Sequence, residues 1–521
     1  MWIQRNAARL PMVIVALVLR LPIATSLVVA RPVAAPVPDA DSVAARNEFA
    51  WELLRKVALQ KPDTNVVLAP LGISATMALV HEGARGETAA EMARTLRLTG
   101  PGDDPTALLD KLQTASVRPV EGLSLGVGMT SNGGYGVRIT DVPSGSAADR
   151  AGLKPGDLIL AVDGRPTRAK PRLVESLARG GPKVKLQLFE YESGRVLDRE
   201  IVLDRTVEPA AGGGSPMSLI ISRAIWAQAG STIEPRFQEI AARRYRAQLS
   251  QADFRGNRAG ALQSINTWLT DKSPGKRPIA LSEADLEPDT RLFLLDHMTL
   301  RGLWASPFPP SSPGHFRTQR GAVESVPLMR QTGRFPVKRT ERFDLLELPF
   351  ARAGLSFVAV LARNSESLEA FIKKTAVAEL NTAVQLLRPR TVDVWLPKFH
   401  FRSSLRLDGV LAGMGMPLAF STRAEFPAID PKQPLRLSAV RHEVEIEVDE
   451  RGTRAEAATA VAGVLIKGDE TEPFPFHADR PFVFAVIVRE NGAILMLGVL
   501  TRPAQEAGTC DSNMLVKSEF R

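Results

Sequence analysis

Cysteine is all but missing: the 521-residue chain contains one, Cys510. A single thiol excludes an internal disulfide, so packing must hold the core, and Cys510, set in a polar C-terminal stretch, reads as free and exposed. Long apolar runs are missing too. At the N-terminus Arg5 and Arg9 precede an apolar stretch and then an Ala/Pro stretch, but Arg20 interrupts the run and Pro11 and Pro22 break it. A spanning helix of about twenty uninterrupted apolar residues is therefore not available. The order is that of a secretory signal. Residues 1–36 are expected to be removed on export, by cleavage near residues 30 to 36, to the extracellular space or a periplasm, with no stable membrane anchor. A concentrated basic run is also lacking. The net charge is +9, but arginine is spread along the whole length without interleaved aromatics, which argues against a nucleic-acid partner. Finally, His81, His297, His315, His400, His442 and His477 accompany no nucleophile-elbow motif and no paired metal-ligand spacing. Neither a protease active site nor a metal centre is indicated, and no cofactor is implied.

What is present is an ordinary globular composition, 44% hydrophobic and 24% charged, long enough for one large core and a second domain. From Ser42 to about Gln113 the pattern is helical. Phe49, Leu53, Leu54 and Val57 mark one helix, Asn65 to Pro70 a short buried strand, and Ile73, Met77, Leu79 and Val80 a second helix. Thr88 is placed to N-cap a third. Nothing polar converges there, so these read as core helices. From Gly122 to Asp204 the texture changes to short strands, Leu123–Met129, Gly136–Val142, Val184–Phe189 and Arg195–Leu203, with a helix carrying Leu173, Val174 and Leu177. Pro/Gly linkers at Arg118–Gly122 and Glu208–Pro216 flank it, so a self-standing domain over 122–204 is expected. Beyond it, buried strands recur at Ser218–Ala227, Arg291–Met298, Leu345–Pro349, Leu355–Leu361, Val392–Leu396 and Glu443–Val448, with a helix at Leu262–Leu269. There is no regular βαβ alternation, so the class is α+β and not a doubly wound sheet.

One stretch, Val448 to Ile466, has two readings on its own. After Gly452, the residues Thr453, Ala455, Ala457 and Thr459 are small, and Arg454 and Glu456 between them are charged. In a strand the small set would enter a packed sheet while both charges stayed in water. On composition alone, alanine and glutamate favour an Ala-rich surface helix over the strand.

Two resemblances decide between them. Ser124–Val127 and Ala151–Gly164 (A-G-L-K-P-G-D-L-I-L-A-V-D-G) resemble a PDZ domain of the bacterial protease-associated kind. That implies a carboxylate-binding loop at Leu125, Gly126 and Val127, a groove helix bearing Leu173 and Leu177, and the C-terminal peptide of a partner protein as ligand. The flanking segments, 42–117 and 216–503, resemble a serpin, a member of the serine protease inhibitor family. The motifs are N-V-V-L-A-P (Asn65–Pro70), G-A-R-G-E-T (Gly83–Thr88), I-N-T-W-L-T (Ile265–Thr270), T-L-R-G-L-W-A-S-P-F (Thr299–Phe308), V-P-L-M-R-Q-T-G-R-F (Val326–Phe335), L-P-K-F (Leu396–Phe399) and F-H-A-D-R-P-F-V-F-A-V-I (Phe476–Ile487).

The serpin resemblance implies three β-sheets, about nine helices and an exposed reactive-centre loop, here about residues 450–475, with a flexible tail at 504–521. It implies a monomeric suicide inhibitor whose loop is cleaved by a serine protease and then enters the central sheet, a transition the handful of small hinge residues permits. Glu450, Gly452, Thr453, Ala455, Ala457 and Thr459 become the hinge, and the reactive bond falls at Ile466 or Lys467, within one or two residues. Ile466 would suit an elastase- or subtilisin-like pocket, Lys467 a trypsin-like one. Asn266, His442 and Trp304 become gating residues of the sheet. Where serpins keep serines beneath the sheet this chain has Ala69 and Gly72, which is expected to leave His442 short of a partner. Arg454 and Glu456 are expected to slow insertion without abolishing it. The alternative is a non-inhibitory adaptor that works through the PDZ groove; bulky or charged residues at the inward hinge positions would favour it, and here those positions are Thr, Ala, Ala and Thr.

Overall fold

The computed structural model describes residues 40–98, 105–117, 121–125, 127–131, 136–167, 173, 177, 182–207, 217–272, 280–351, 354–453 and 472–503. Apolar spacing starts the chain as expected: Phe49, Leu53, Leu54 and Val57 are buried in α1 (Ala40–Gln60), and β1 (Val66–Leu68) is buried throughout. α2 (Pro70–Gly83) begins on proline, whose fixed φ and missing N–H suit a first helical position. α3 (Gly86–Leu96) and α4 (Pro105–Val117) follow. Thr88 is not the N-cap of α3; Arg85 is, and the Thr88 hydroxyl accepts from the Glu425 N–H at 3.1 Å. A tertiary partner outbid the local one.

The insert comes next. It holds β2 (Glu121–Ser124), β3 (Gly128–Ser131), β4 (Val137–Asp141), the single turn α5 (Ala147–Arg150), β5 (Leu158–Val162), β6 (Arg165–Pro166), β7 (Lys183–Glu190), β8 (Arg195–Val202) and β9 (Asp204–Val207). The segment expected as one strand, Leu123–Met129, is split between β2 and β3. β3-β4-β5-β7-β8 form a sheet with β6 against β5, over its own apolar core that includes Ile139, Ile159, Leu186 and Leu188. The antiparallel ribbon β2/β9 ties both ends of the insert together, Glu121 opposite Val207.

After the insert run β10 (Met217–Gln228), α6 (Pro235–Arg243), β11 (Ala247–Ala252), α7 (Arg258–Lys272) and β12 (Leu292–Leu303). Then come β13 (Ser312–Arg317), the 17-residue β14 (Val323–Arg339), β15 (Phe343–Pro349), β16 (Leu355–Ala362), α8 (Leu368–Lys374) and α9 (Val377–Gln385). The chain closes with β17 (Arg388–Pro397), β18 (Phe399–Arg406), α10 (Asp408–Met414), β19 (Leu437–Val448), β20 (Gly452–Thr453), β21 (Phe474–His477), β22 (Phe482–Val488) and β23 (Ile494–Leu500). Outside the insert these are nine α-helices among the described residues.

Outside the insert there are three groups of strands, as the resemblance implies, two of which share β14. β13 and then β17-β21 pair along β14 from Val323 to Val337, and β15-β16-β22-β23-β1 continue from its last residues, Val337–Arg339. The central sheet has the order β11-β10-β12-β19-β18. Period-two patterning sets its faces. Met298 and Leu300 of β12 and Val444, Ile446 and Val448 of β19 pack inward on one core, whereas Phe293 and Leu295 face Ile265, Trp268 and Leu269 of α7. Each such large side chain contributes about 1.5–3 kcal/mol of burial, which is how a chain without disulfides holds a wide sheet. Among the described residues no helix is long and apolar enough to cross a membrane.

Candidate functional site

The central sheet contains one junction of particular consequence. β12 is antiparallel to β10, and β19 is antiparallel to β18, but β12 and β19 are parallel to each other, paired from Leu292/Leu437 to Thr299/Glu445. Above Thr299 and Glu445 that pairing stops. There β20 turns back and pairs antiparallel with the top of β12, Gly302 opposite Thr453 and Leu303 opposite Gly452. A strand that is antiparallel to β12 and enters next to β19 is antiparallel to both, the pattern that both edges can hydrogen-bond.

The turn that delivers β20 is tightly built. Asp449 N–H donates to the Gly452 carbonyl at 2.8 Å, and the Asp449 carboxylate accepts from the N–H groups of Arg451 (2.8 Å) and Gly452 (3.0 Å). Gly452 sits at φ 142°, and a Cβ there would lie 2.0 Å from the Gly302 carbonyl oxygen. Only glycine lets β20 approach β12 this closely. Trp304 anchors the same corner: it stacks on Phe350 at 4.9 Å, its indole N–H donates to the Asp449 carbonyl at 2.9 Å, and its backbone N–H donates to the Arg451 carbonyl at 2.8 Å. Glu450 receives the Ser311 N–H at 3.0 Å and pairs with Lys398 at 3.0 Å. Burial pushes its carboxyl up, yet the Lys398 ammonium and the donors around it hold it down at about 2.

Half-way down the seam lie two rows of polar residues, one on each face. On the inner face Arg223 of β10, Asp296 of β12 and His442 of β19 are in register. His442 is fully buried: the Ala69 N–H donates to Nε2 at 2.9 Å, while Nδ1 lies 3.0 Å from Asp296 Oδ2 without hydrogen-bond alignment. Thr76 Oγ1 donates to the other oxygen of that carboxylate at 3.2 Å. One ring nitrogen of His442 is thus hydrogen-bonded, and the other has a charged neighbour where a serine is missing. Gly72 is what admits the replacement, because a Cβ there would lie 2.8 Å from Asp296 Oδ2. Asn266, another residue expected to gate the sheet, is engaged elsewhere. The Asn266 amide instead clamps Leu281, accepting its N–H at 2.8 Å and donating to its carbonyl at 3.0 Å. Asp296 is the group that sequence reasoning missed, since nothing in the sequence shows which residue lies opposite His442 across a sheet.

On the outer face His297 of β12 is directly opposite Glu443 of β19, with Ser222 and Ser404 next in the row. Ser404 donates to Glu443, while Glu445 pairs with His400 at 2.6 Å and Arg402 at 3.3 Å. Burial pushes the Glu443 carboxyl up to about 8, against the Ser404 hydroxyl, Arg441 and Arg402. Burial likewise pushes the His297 imidazole down to about 4, against Asp296 and Glu445.

Ala455, Ala457, Thr459, Ile466 and Lys467 lie outside the described residues, as do residues 1–36, Gly126 and Cys510. In the insert, Leu125, Leu173 and Leu177 are buried in its core, with Val127 and Met129 half-buried against it. They form a floor more than an open groove wall. No cluster of three metal-ligating side chains occurs among the described residues.

A family model described as serpin (serine protease inhibitor) matches residues 44–132 and 203–503, and one described as PDZ domain matches residues 138–188. An uncharacterised serpin-like protein of Thermococcus kodakarensis is 33% identical over 293 residues, covering 56% of this chain and 68% of the relative. The leukocyte elastase inhibitor of Xenopus tropicalis is 29% identical, covering 56% of this chain and 78% of its own length. Human plasminogen activator inhibitor 2 is 24% identical over 474 residues, covering 89% of this chain and all (100%) of the relative. Among solved structures, uncleaved ovalbumin superposes with a TM-score of 0.64 at 19% identity, covering 88% of this chain and 99% of that one. Native protease nexin-1 with heparin gives 0.63 at 20% identity, covering 89% and 100%.

Proposed function

The chain belongs to the serpin family, and on that premise we propose that it is a secreted suicide-type inhibitor of a serine protease, interrupted by a PDZ-type insert that targets or regulates it. In this reading the protease serine oxygen attacks the carbonyl of residue 466, the bond to Lys467 breaks, the new amine keeps the proton, and an ester joins protease to loop. Entry of the freed strand between β12 and β19 then carries the tethered protease away and traps the ester.

The observation that carries this reading is the parallel β12/β19 seam with β20 already lodged antiparallel at its open top. Continuing that register down β12 would bring Ala455 against Leu300, Ala457 against Met298 and Thr459 against Asp296, small side chains on the packed inner face. Each inserted residue adds about 0.5–1.5 kcal/mol of net hydrogen bonding, so a dozen supply on the order of 10 kcal/mol. That is as large as the whole stability of many domains. The inhibitory relatives among the sequence matches support the same reading.

The insert joins the inhibitor between α4 and β10, a strand of the opening sheet. A C-terminal peptide bound there alters inhibition only if it binds the open and closed sheets differently.

The test is to incubate the full chain with elastase-, subtilisin- and trypsin-like proteases. An SDS-stable complex and a released C-terminal fragment are expected, and the mass of that fragment places the bond at Ile466 or Lys467. Cleavage without a complex by every protease would sink the inhibitor reading and favour the adaptor.

A further inference from the structure

The seam that must part carries, at adjacent positions, Asp296-His297 on β12 opposite His442-Glu443 on β19. Alternation puts the two pairs on opposite faces: Asp296 with His442 below the sheet, His297 with Glu443 above it. All four are at least nine-tenths buried, with 2%, 6%, 0% and 6% of their surfaces exposed for Asp296, His297, His442 and Glu443. They lie two to three residues below Thr299 and Glu445, where the seam first closes beneath the β20 wedge. An entering strand reaches them before it has passed half of the paired segment.

We propose that these two in-register acid–imidazole pairs form a proton-operated clasp: when β12 and β19 part, Glu443 gives a proton to solvent and His297 takes one up, so pH sets the rate of strand entry. The proposal rests on the loop-insertion reading above.

The surroundings of the upper pair decide its sign. Glu443 faces Ser404, Arg402 and Arg406 from β18, His297 and Thr299 from β12, and Arg441 and Glu445 on its own strand. The cations are already committed: Arg441 to Asp285, Arg402 to Glu445, and Arg406 to Asp408 and Glu287. Among the described residues these cations are therefore paired elsewhere and Glu443 is buried, so the closed seam favours its neutral form. Its affinity for the proton is raised, up to about 8, from an ordinary value of 4.5, and closure is therefore favoured at low pH and lost as pH rises through about 8. His297 lies opposite Ser222 and Glu443; burial lowers its affinity from 6.5 to about 4, with Asp296 and Glu445 acting against that shift and His442 and Arg402 with it. Opening is thus also favoured by acid, between those two values. Strand entry is slowest where the two effects cross and rises toward alkaline pH.

A synthetic peptide with the sequence of residues 453–466 serves as the probe, added to the intact full-length chain, its incorporation followed by native gel and mass spectrometry. The rate is expected to climb about tenfold between about pH 6 and about pH 8, with a shallow upturn in acid, from the linkage of one released and one absorbed proton. Glu443→Gln removes the climb, His297→Gln removes the acid upturn, and Ser404→Ala moves the climb to higher pH by deleting the donor that steadies the ionised carboxylate. Ser404→Ala also keeps the test alive should either other variant misfold. A probe that enters at a pH-independent rate, or a climb unchanged in Glu443→Gln, overturns the clasp and leaves loop insertion standing. A probe that never enters overturns loop insertion, and the clasp with it.

Discussion

Gly452→Ala perturbs the hinge where the geometry is least forgiving. The added Cβ would lie 2.0 Å from the Gly302 carbonyl oxygen and 2.7 Å from Leu303 Cα, on a residue whose φ is 142°. Side-chain-bearing residues hold such a conformation only at a cost of about 1–3 kcal/mol. The clash must in addition push β20 off β12, losing the pairs Gly302/Thr453 and Leu303/Gly452. Their hydrogen bonds contribute about 0.5–1.5 kcal/mol each. Together the loss is about 3 kcal/mol, which at 1.4 kcal/mol per tenfold slows strand entry by about a hundredfold. Inhibition is a race between entry and hydrolysis of the acyl-enzyme, so slowing entry shifts the product from trapped complex to cleaved chain. Stoichiometric titration against a target protease, with SDS gels quantifying both products, reads the ratio directly. The fold elsewhere is untouched by the change, so the melting temperature serves as control. An undiminished yield of complex from a normally folded Gly452→Ala would refute the role given to β20.

Other expectations follow from the same contacts. Thr453→Arg places a long charged side chain first in line for the packed face and should turn the inhibitor into a substrate; unaltered complex formation on a gel would contradict insertion. Asp296→Leu removes the acceptor for Thr76 and the charged neighbour of His442 and Arg223 in a buried site, costing about 3–5 kcal/mol in urea-melt stability. Asn266→Ala should cost only about 1–2 kcal/mol, since it frees one N–H and one carbonyl of Leu281. The depressed Glu450 carboxyl contributes stability that is present above its ordinary value of 4.5 and is lost as pH falls toward about 2. Glu450→Gln should remove that acid-side loss from pH-dependent melts, by about 1 kcal/mol once solvent screening at the half-exposed Lys398 is allowed for.

Much of this was legible from local pattern. The α1 and α2 faces and the strand at β10 rest on periodicity, which neighbouring residues alone encode. Strand ends were less legible: β12 and β19 extend beyond the expected Arg291–Met298 and Glu443–Val448, to Leu292–Leu303 and Leu437–Val448, because pairing, not propensity, ends a strand. The site was legible only in part. Gly452 and Trp304 lie together at the top of the seam, and Asp296, which no motif marked, faces His442 across it. The two are 146 positions apart in sequence and meet only through the β12/β19 register. Gly72 looked like a loss, the absence of a serine, when its missing side chain is what makes room for a carboxylate. Thr88 shows the same limit: an N-cap by local chemistry, it is buried and accepts from the Glu425 N–H instead.

The central claim, that residues beyond Gly452 become a strand between β12 and β19, is tested most directly by the separation of Asp296 and His442 in a crystal structure of the loop-cleaved chain. These residues now face each other across adjacent strands. Neighbouring strands lie about 4.8 Å apart, so one inserted strand should carry the two Cα atoms to about 9.6 Å and leave Thr459 between them. A cleaved chain in which Asp296 still faces His442 across an unparted seam would contradict it.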